Sequence, residues 1–161
     1  MLSVTRTEPY RIFLTEDNPA EVRLIQEAIK EAGLRDIIEL EYAYDGEEAC
    51  ELFDTAKVLG KTYDLVLLDL NMPKVSGREV LEKIKTDPEL QTTPVIVVTN
   101  SDYKKDMIDC YRLNADGYIQ KPADFKKLVD FFISIRESIK VKNKLSIYYI
   151  EKMYDELSLA V

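Results

Sequence analysis

Short apolar runs alternate with amphipathic helical patterns along the chain. Five runs of four to seven residues, rich in branched aliphatic and aromatic side chains, predict β-strands. These runs are Tyr10–Thr15, Ile37–Ala43, Leu65–Leu68, Val95–Thr99 and Gly117–Gln120. Strands that alternate with helices form βαβ units, so the pattern predicts an α/β fold with a doubly wound five-stranded parallel sheet flanked by five helices.

Start and stop signals mark the predicted helices. Asn18 is suited to cap the first helix, Pro19 suits its first position, and Gly33 ends it. The next three helices are expected at Glu47–Leu59, Arg78–Lys85 and Tyr103–Leu113. The apolar stripe of the fourth helix is expected to be Met107, Ile108 and Tyr111.

A sharper apolar seam follows the fifth strand. Apolar residues spaced 3, 4, 3 and 4 apart predict a fifth helix whose seam is Phe125, Leu128, Phe132, Ile135 and Ile139. A polar break at Lys140–Lys144 comes next, and Ser146 is then suited to cap a further helix. The alternative for this last segment is a partly frayed end of the chain. Its expected apolar face is Ile147, Ile150, Tyr154 and Leu157.

Composition argues against several classes of function. The 161 residues carry a net charge of −8, which argues against a nucleic-acid-binding surface. The sequence contains no run of 18 apolar residues, so no membrane span is predicted. Met1–Pro9 lacks the apolar core of a secretory signal. There is no histidine, which excludes histidine-ligated zinc and Ser/His/Asp catalysis. Cys50 and Cys110 are expected to be small buried thiols in the reducing cytoplasm.

Side chains capable of chemistry end four of the five predicted strands. Glu16 and Asp17 follow the first strand and Asp69 follows the third. Thr99 ends the fourth strand, and Lys121 follows the fifth. In a doubly wound sheet these ends share one edge, so three carboxylates are expected to crowd there. Two unit charges about 4 Å apart repel by about 1 kcal/mol in water and about 4 kcal/mol at an effective dielectric of about 20.

This crowding predicts a metal-assisted phosphoryl-transfer site. Mg²⁺ takes oxygen ligands and would relieve the repulsion, while Lys121 adds a mobile positive charge. Thr99 would donate a hydrogen bond to a bound oxyanion, and a carboxylate would attack as nucleophile. Each residue also has a plainer explanation, as a helix-start acid, a turn-starting aspartate, a strand-end hydroxyl or a surface lysine. Four fitting residues at four strand ends weaken that explanation.

The ordered set of motifs resembles the receiver domains of two-component response regulators, from about Arg11 to about Ile139. The residues that carry the resemblance are Glu16-Asp17, Asp69 with Asn71-Met72-Pro73 and Gly77, Thr99, Tyr118 and Lys121-Pro122. Gly77–Lys85 and Thr99–Asp102 are similar to stand-alone regulators that serve phytochrome-type histidine kinases. We therefore expect a flavodoxin-like receiver domain at 10–140, preceded by a tail at 1–9 and followed by a helical extension at 141–161.

The resemblance implies a role for each motif residue. Asp69 would accept a phosphoryl group from a kinase phosphohistidine. Thr99 and Lys121 would bind the phosphoryl oxygens, and Tyr118 would turn inward on activation. The Lys121–Pro122 peptide bond would be cis, as it often is in this family. The expected Mg²⁺ ligands are Glu16, Asp17, Asp69 and the main-chain carbonyl of Asn71.

Two residues depart from the pattern of that family. Glu16 stands where aspartate is common, so it is expected to reach the metal through water. Asn100 stands where a small residue is usual, and its bulk is expected to hinder access or the inward movement of Tyr118. Tyr118 itself keeps an alternative, that of an ordinary half-buried strand tyrosine.

The favoured function is a stand-alone phosphorylatable switch whose partner is a sensor histidine kinase, rather than an enzyme with an external substrate. Two alternatives stay open. An aspartate-nucleophile phosphatase needs a second aspartate two residues after its nucleophile, where Asn71 stands. A flavodoxin-like nucleotide- or flavin-binding module needs a phosphate cradle, and the acidic loop after the first strand has no glycine-rich sequence.

A homodimer through the C-terminal half is also expected. A receiver core covers one face of its last helix, which leaves the side positions Val129, Phe131 and Ile133 and the tail helix to be covered. Exposed apolar area beyond roughly a few hundred Å² usually marks an interface. The alternative is a monomer whose tail folds back and hides the seam.

Overall fold

A computed structural model of the chain describes residues 6–100 and 104–159. Five parallel strands form one sheet with the order β2-β1-β3-β4-β5. They are β1 (Tyr10–Thr15), β2 (Ile38–Ala43), β3 (Leu65–Leu68), β4 (Val95–Thr99) and β5 (Gly117–Gln120). The predicted doubly wound α/β class is confirmed, and four of the five strands have the predicted bounds.

Six helices accompany the sheet in the described part of the chain. They are α1 (Pro19–Glu31), α2 (Gly46–Val58), α3 (Gly77–Thr86), α4 (Lys104–Arg112), α5 (Phe125–Lys142) and α6 (Ile147–Leu159). Asn18 caps α1 as predicted, because its side chain accepts a hydrogen bond from Ala20 N at 3.0 Å. Tyr103, the predicted first residue of α4, lies outside the described residues. None of the helices in the described ranges is long and apolar enough to cross a membrane.

Two apolar layers hold the sheet between its helices. One layer packs α1, α5 and α6 against one face of the sheet, and the other packs α2, α3 and α4 against the opposite face. All four residues of β3 are buried, two toward each layer, which explains why this strand is apolar throughout. The parallel pairing places the carboxyl ends of all five strands at one edge.

The apolar stripe predicted for α4 is wrong. Ile108 and Tyr111 are exposed, and Cys110 is the residue that α4 buries. Met107 and Leu113, three residues before and after Cys110, are half-buried on the same side. The Cys110 thiol is therefore the small apolar side chain at the centre of the buried face of α4, as predicted for this cysteine. The buried face is centred on Cys110 and not on Ile108 and Tyr111. Cys50 is only half-buried.

The tail forms a helix that folds back over α5. Ile150 is fully buried, and the Tyr154 ring meets the edge of Phe131 at a centroid distance of 5.5 Å. Phe131 is only 2% exposed, whereas Phe125, a predicted seam residue, faces solvent. The tail thus folds back on α5, and α6 supplies the second cover that α5 needs within one chain. Ser146 caps α6 as predicted, accepting from Tyr149 N at 3.4 Å.

Helix α6 also lies against the outer edge of β5. A Cβ atom added to Gly117 would come 2.1 Å from Oε1 of Glu151, so the end of that α6 side chain would have to shift. The Glu151 carboxylate accepts a hydrogen bond from the main chain of Tyr118, and burial raises the pKa of Glu151. The β5 edge of the sheet is therefore covered by the chain's own last helix.

Helix α5 runs through the predicted boundary between 140 and 141 and ends at Lys142. Asn143 then adopts a left-handed conformation with φ of 57°, which ends the helix and turns the chain toward α6. Ser138 fastens this turn, since its Oγ donates to Lys144 O and accepts from Ser146 N, both at 2.8 Å. The division of the chain at 140–141 stays a prediction.

Candidate functional site

The candidate site lies at the carboxyl ends of β1, β3, β4 and β5. Glu16 and Asp17 follow β1, Asp69 follows β3, Thr99 is the last residue of β4 and Lys121 follows β5. The sheet order puts β1 and β4 on either side of β3, so Asp69 is central. This is the edge at which open α/β sheets bind their ligands.

Asp69 is held in a fixed position by its own loop. Its side chain accepts a hydrogen bond from Asn71 N at 3.0 Å, and its main-chain N donates to Oγ1 of Thr15 at 2.9 Å. The residue is only 8% exposed, and burial raises the pKa of its carboxyl group. The Lys121 charge opposes this effect and favours the ionised form of Asp69.

Thr15 is a site residue that the sequence analysis missed. It was assigned only as the last residue of β1, although its buried hydroxyl fixes the main chain at Asp69. β1 and β3 pair in parallel with Leu14 opposite Leu67, which brings Thr15 to the end of β3. The sequence signal that could have identified Thr15 was a hydroxyl at the end of β1, the strand next to the central strand β3.

Three carboxylates meet at this edge, as predicted. One oxygen atom from each of Glu16, Asp17 and Asp69 lies within 4.8 Å of the other two. Asp17 is exposed, whereas Glu16 and Asp69 are buried. Such a set of oxygen donors suits a hard divalent cation that keeps part of its water shell on the exposed side. These residues could therefore hold Mg²⁺.

Lys121 supplies the positive charge, and it pairs with Glu16. The distance between Lys121 Nζ and Glu16 Oε2 is 2.7 Å, with the two side chains 19% and 3% exposed. Burial lowers the pKa of Lys121, but the hydrogen bond to Glu16 and the charges of Glu16 and Asp69 outweigh it and raise the pKa overall. Burial also raises the pKa of Glu16, against the opposing effect of Lys121.

Thr99 and Asn71 meet on the other side of Asp69. Asn71 Nδ2 lies 3.5 Å from Oγ1 of Thr99, and Thr99 is fully buried. The main chain of Thr99 also accepts from Lys121 N at 2.7 Å, which ties the ends of β4 and β5 together. Thr99 is thus next to the acidic cluster, as expected.

Tyr118, the predicted switch residue, lies on β5. It is half-buried on β5 and packs against the layer formed with α2, α3 and α4. Asn100, whose bulk was expected to hinder this region, has an exposed side chain. The switching role of Tyr118 stays a prediction.

The remaining motif residues shape the loop after Asp69. A Cβ atom on Gly77 would lie 2.1 Å from the main-chain oxygen of Asp69, so glycine is required where α3 begins. The predicted cis bond at Lys121–Pro122 is wrong, because the described residues contain no cis peptide bond.

Comparisons with known proteins agree with this geometry. A model of the response regulator receiver domain family matches residues 12–132. The response regulator Rcp1 of Synechocystis sp. is 38% identical over 122 residues, which cover 74% of this chain and 82% of Rcp1. The crystal structure of the phosphorylated cyanobacterial phytochrome response regulator RcpA has a TM-score of 0.69 and 37% identity, covering 84% of this chain and 96% of RcpA.

A second solved structure, the Mn²⁺-bound form of Rcp1, has a TM-score of 0.68 and 36% identity. It covers 83% of this chain and 96% of that one. The chain therefore belongs to the response regulator receiver domain family of two-component signalling. Within the family it is similar to stand-alone regulators associated with phytochromes. No observation favours the phosphatase or the flavodoxin-like module.

Proposed function

We propose that this protein is a single-domain response regulator that accepts a phosphoryl group on Asp69 from a histidine kinase. One observation carries the proposal: Asp69 is buried at the end of the central strand, with two further carboxylates within 4.8 Å. A phosphorylated and a metal-bound relative of similar sequence support it. The kinase would be of the phytochrome type, and the switch would act in the cytoplasm.

The transfer is a displacement at phosphorus. An Asp69 carboxylate oxygen attacks the phosphorus atom, the bond from phosphorus to the kinase imidazole nitrogen breaks, and the electron pair leaves with that nitrogen. Thr99 would donate a hydrogen bond to a phosphoryl oxygen, and Lys121 would offset the added charge of about −1.5 to −2. Asn71 N keeps the attacking carboxylate in place.

Mg²⁺ would be held by Glu16, Asp17, Asp69 and the main-chain carbonyl of Asn71. When bound, the ion neutralises the charge that develops on the transferred group. Only the ionised carboxylate attacks, and a nearby cation would favour that form against the burial that raises the pKa of Asp69. The protein would turn over its own acyl phosphate and no external substrate, so it is a switch and not a phosphatase.

Acetyl phosphate tests the proposal directly. Incubation with acetyl phosphate and Mg²⁺ is expected to add one phosphoryl group per chain, seen by intact-protein mass spectrometry and lost again on standing. Purified histidine kinases of the host, offered in parallel, identify the partner by the rate of transfer. Steady hydrolysis of a phosphate ester such as p-nitrophenyl phosphate would point to the phosphatase instead.

Magnesium is expected to stabilise the fold. A ligand at about 100 times its Kd adds about 2.7 kcal/mol, which corresponds to a Tm increase of roughly 5–11 °C for a chain of this size. The increase should shrink in Asp17→Asn, measured by thermal unfolding monitored by circular dichroism. No shift at millimolar Mg²⁺ would count against the metal site.

The increase in Tm produced by Mg²⁺ should also become smaller as the pH falls. The pKa values of Asp69 and Glu16 are raised by burial, so protons compete with Mg²⁺ above the ordinary carboxyl range. Because the folded state then binds more protons than the unfolded chain, the metal-free protein gains stability as the pH drops through those raised values. The two curves, with and without Mg²⁺, should therefore converge at acidic pH.

The homodimer through the C-terminal half stays a prediction. The α5 side position Phe131, which was expected to contribute to the dimer contact, is instead covered by α6 within one chain. The exposed Tyr148, at 78%, is a better probe of contacts made by the tail than Phe131→Glu, which would disrupt the core. Sedimentation at micromolar concentration should show a dimer weakened by Tyr148→Glu. A wild type that stays monomeric both with and without beryllium fluoride, a mimic of the phosphoryl group, would contradict the predicted dimer.

A further inference from the structure

We infer that Glu16 holds Lys121 away from Asp69 until a divalent cation takes the Glu16 carboxylate. Cation binding then releases the lysine toward the phosphoryl group on Asp69. Glu16 is thus a positioning residue as well as a metal ligand. The inference rests on the proposed function and adds the order in which the site is assembled.

The geometry of the ion pair is the first observation. Lys121 Nζ lies 2.7 Å from Glu16 Oε2. Within residues 6–100 and 104–159, no other carboxylate comes within 4.0 Å of this ammonium group. The lysine therefore points to the acid after β1, although Asp69 belongs to the same cluster of charges.

The burial of the pair makes this contact costly to lose. The Glu16 side chain is almost fully buried, and a buried charge that loses its partner is left uncompensated. The other oxygen, Oε1, accepts a hydrogen bond from Asn18 N at 3.3 Å. Each carboxylate oxygen therefore already has one partner, and a cation bound at Oε2 would lie close to the Lys121 ammonium group and repel it.

The length of the glutamate side chain explains the pairing. β1 and β5 are separated by β3 and β4 in the sheet, so Glu16 and Lys121 must reach across the ends of two strands. An aspartate would hold its carboxylate one methylene further back. Asp17, the neighbouring shorter acid, is exposed and forms no ion pair among the described residues.

Cation binding to Glu16 would precede the movement of Lys121 toward Asp69. Once a cation binds Glu16, the ammonium group loses that partner, and the charge of Asp69 is the next one that acts on it. A phosphoryl group on Asp69 would strengthen this attraction, because it adds about −1.5 to −2 charges. Cation binding thereby prepares Lys121 for the phosphorylated state.

Magnesium titration of a double-mutant cycle tests the competition. Isothermal titration calorimetry would compare wild type, Lys121→Met, Glu16→Asp and the double variant. Removing the competing ammonium should increase Mg²⁺ affinity at least about threefold more in the wild-type background than in the Glu16→Asp background. Lys126→Met, which removes an equal charge from an exposed position, is the matched control and should change affinity little.

The wild-type protein also offers a direct spectroscopic readout. The Lys121 ammonium group, held in a buried ion pair, should give a distinct ¹H–¹⁵N resonance without metal that moves when Mg²⁺ binds. Glu16→Gln should move the same resonance in the absence of metal. This measurement keeps the inference testable even if Glu16→Asp folds poorly.

Each outcome separates this inference from the proposed function. Mg²⁺ binding with equal effects of Lys121→Met in both backgrounds and an unmoved ammonium resonance would overturn the release of Lys121 alone. Absence of Mg²⁺ binding by the wild type would overturn the metal site and the release together. Unequal effects with a moving resonance would support the inference.

Discussion

Replacing Asp69 by asparagine is expected to abolish phosphorylation by acetyl phosphate and by the cognate kinase. The amide has the shape of the carboxylate and can still accept the hydrogen bond from Asn71 N, but it is not a nucleophile toward phosphorus. Intact-protein mass spectrometry should show the added phosphoryl group in the wild type and none in the variant.

The same variant is expected to be more stable than the wild type without metal. Burial and the nearby charge of Asp17 oppose ionisation of Asp69, so a neutral side chain removes an unfavourable charge. Functional sites commonly lower stability in this way. A higher Tm in Asp69→Asn would show that the loss of labelling is chemical and does not arise from unfolding.

Asp36→Asn is the matched control, because Asp36 is exposed and lies outside the site. It should be labelled like the wild type. Hydroxylamine should remove the label from the wild type, since an acyl phosphate is labile to it and a phosphothreonine is stable. Equal labelling of Asp69→Asn, or a hydroxylamine-stable label on Thr99, would refute Asp69 as the acceptor.

Replacing Ile150 by alanine is expected to destabilise the whole domain. Ile150 lies on α6 and is fully buried in the layer that contains Phe131 and Ile119. Truncating a buried isoleucine to alanine typically costs about 2–5 kcal/mol, and a domain of ordinary size has only about 5–15 kcal/mol in total. For a chain of this length, Tm falls by about 2–4 °C for each kcal/mol lost.

The outcome decides whether α6 belongs to the folded unit. Lys152→Ala is the control on the same helix, because Lys152 is exposed and its loss should change stability by less than about 0.5 kcal/mol. Urea unfolding of both variants gives the comparison. Equal stabilities of Ile150→Ala and Lys152→Ala would mean that the tail is frayed in solution.

Several features of the fold could be predicted from local sequence alone. β3 is apolar on both faces and ends on Asp69, so it was identified as a central strand with an acid at the ligand-binding edge. Prolines, glycines and capping residues bounded the helices to within a residue or two, as with Asn18 at α1. The rule that parallel strands share a carboxyl edge then brought Glu16, Asp17 and Asp69 together.

Errors arose where the face of a helix depends on what surrounds it. The α4 stripe was assigned from the largest apolar residues, but the neighbouring elements bury the small Cys110 and leave Ile108 exposed. Phe131 was taken as an exposed side position of α5, because periodicity cannot show that a later helix packs there.

The sequence by itself determined the class of fold, the strand ends and the set of charged groups at the candidate site, because each follows from periodicities within short segments. Only the tertiary structure decided the partners of those groups. Thr15 meets Asp69 and Lys121 meets Glu16 across 54 and 105 residues of chain. Such contacts depend on strand order and side-chain packing, and no short segment contains that information.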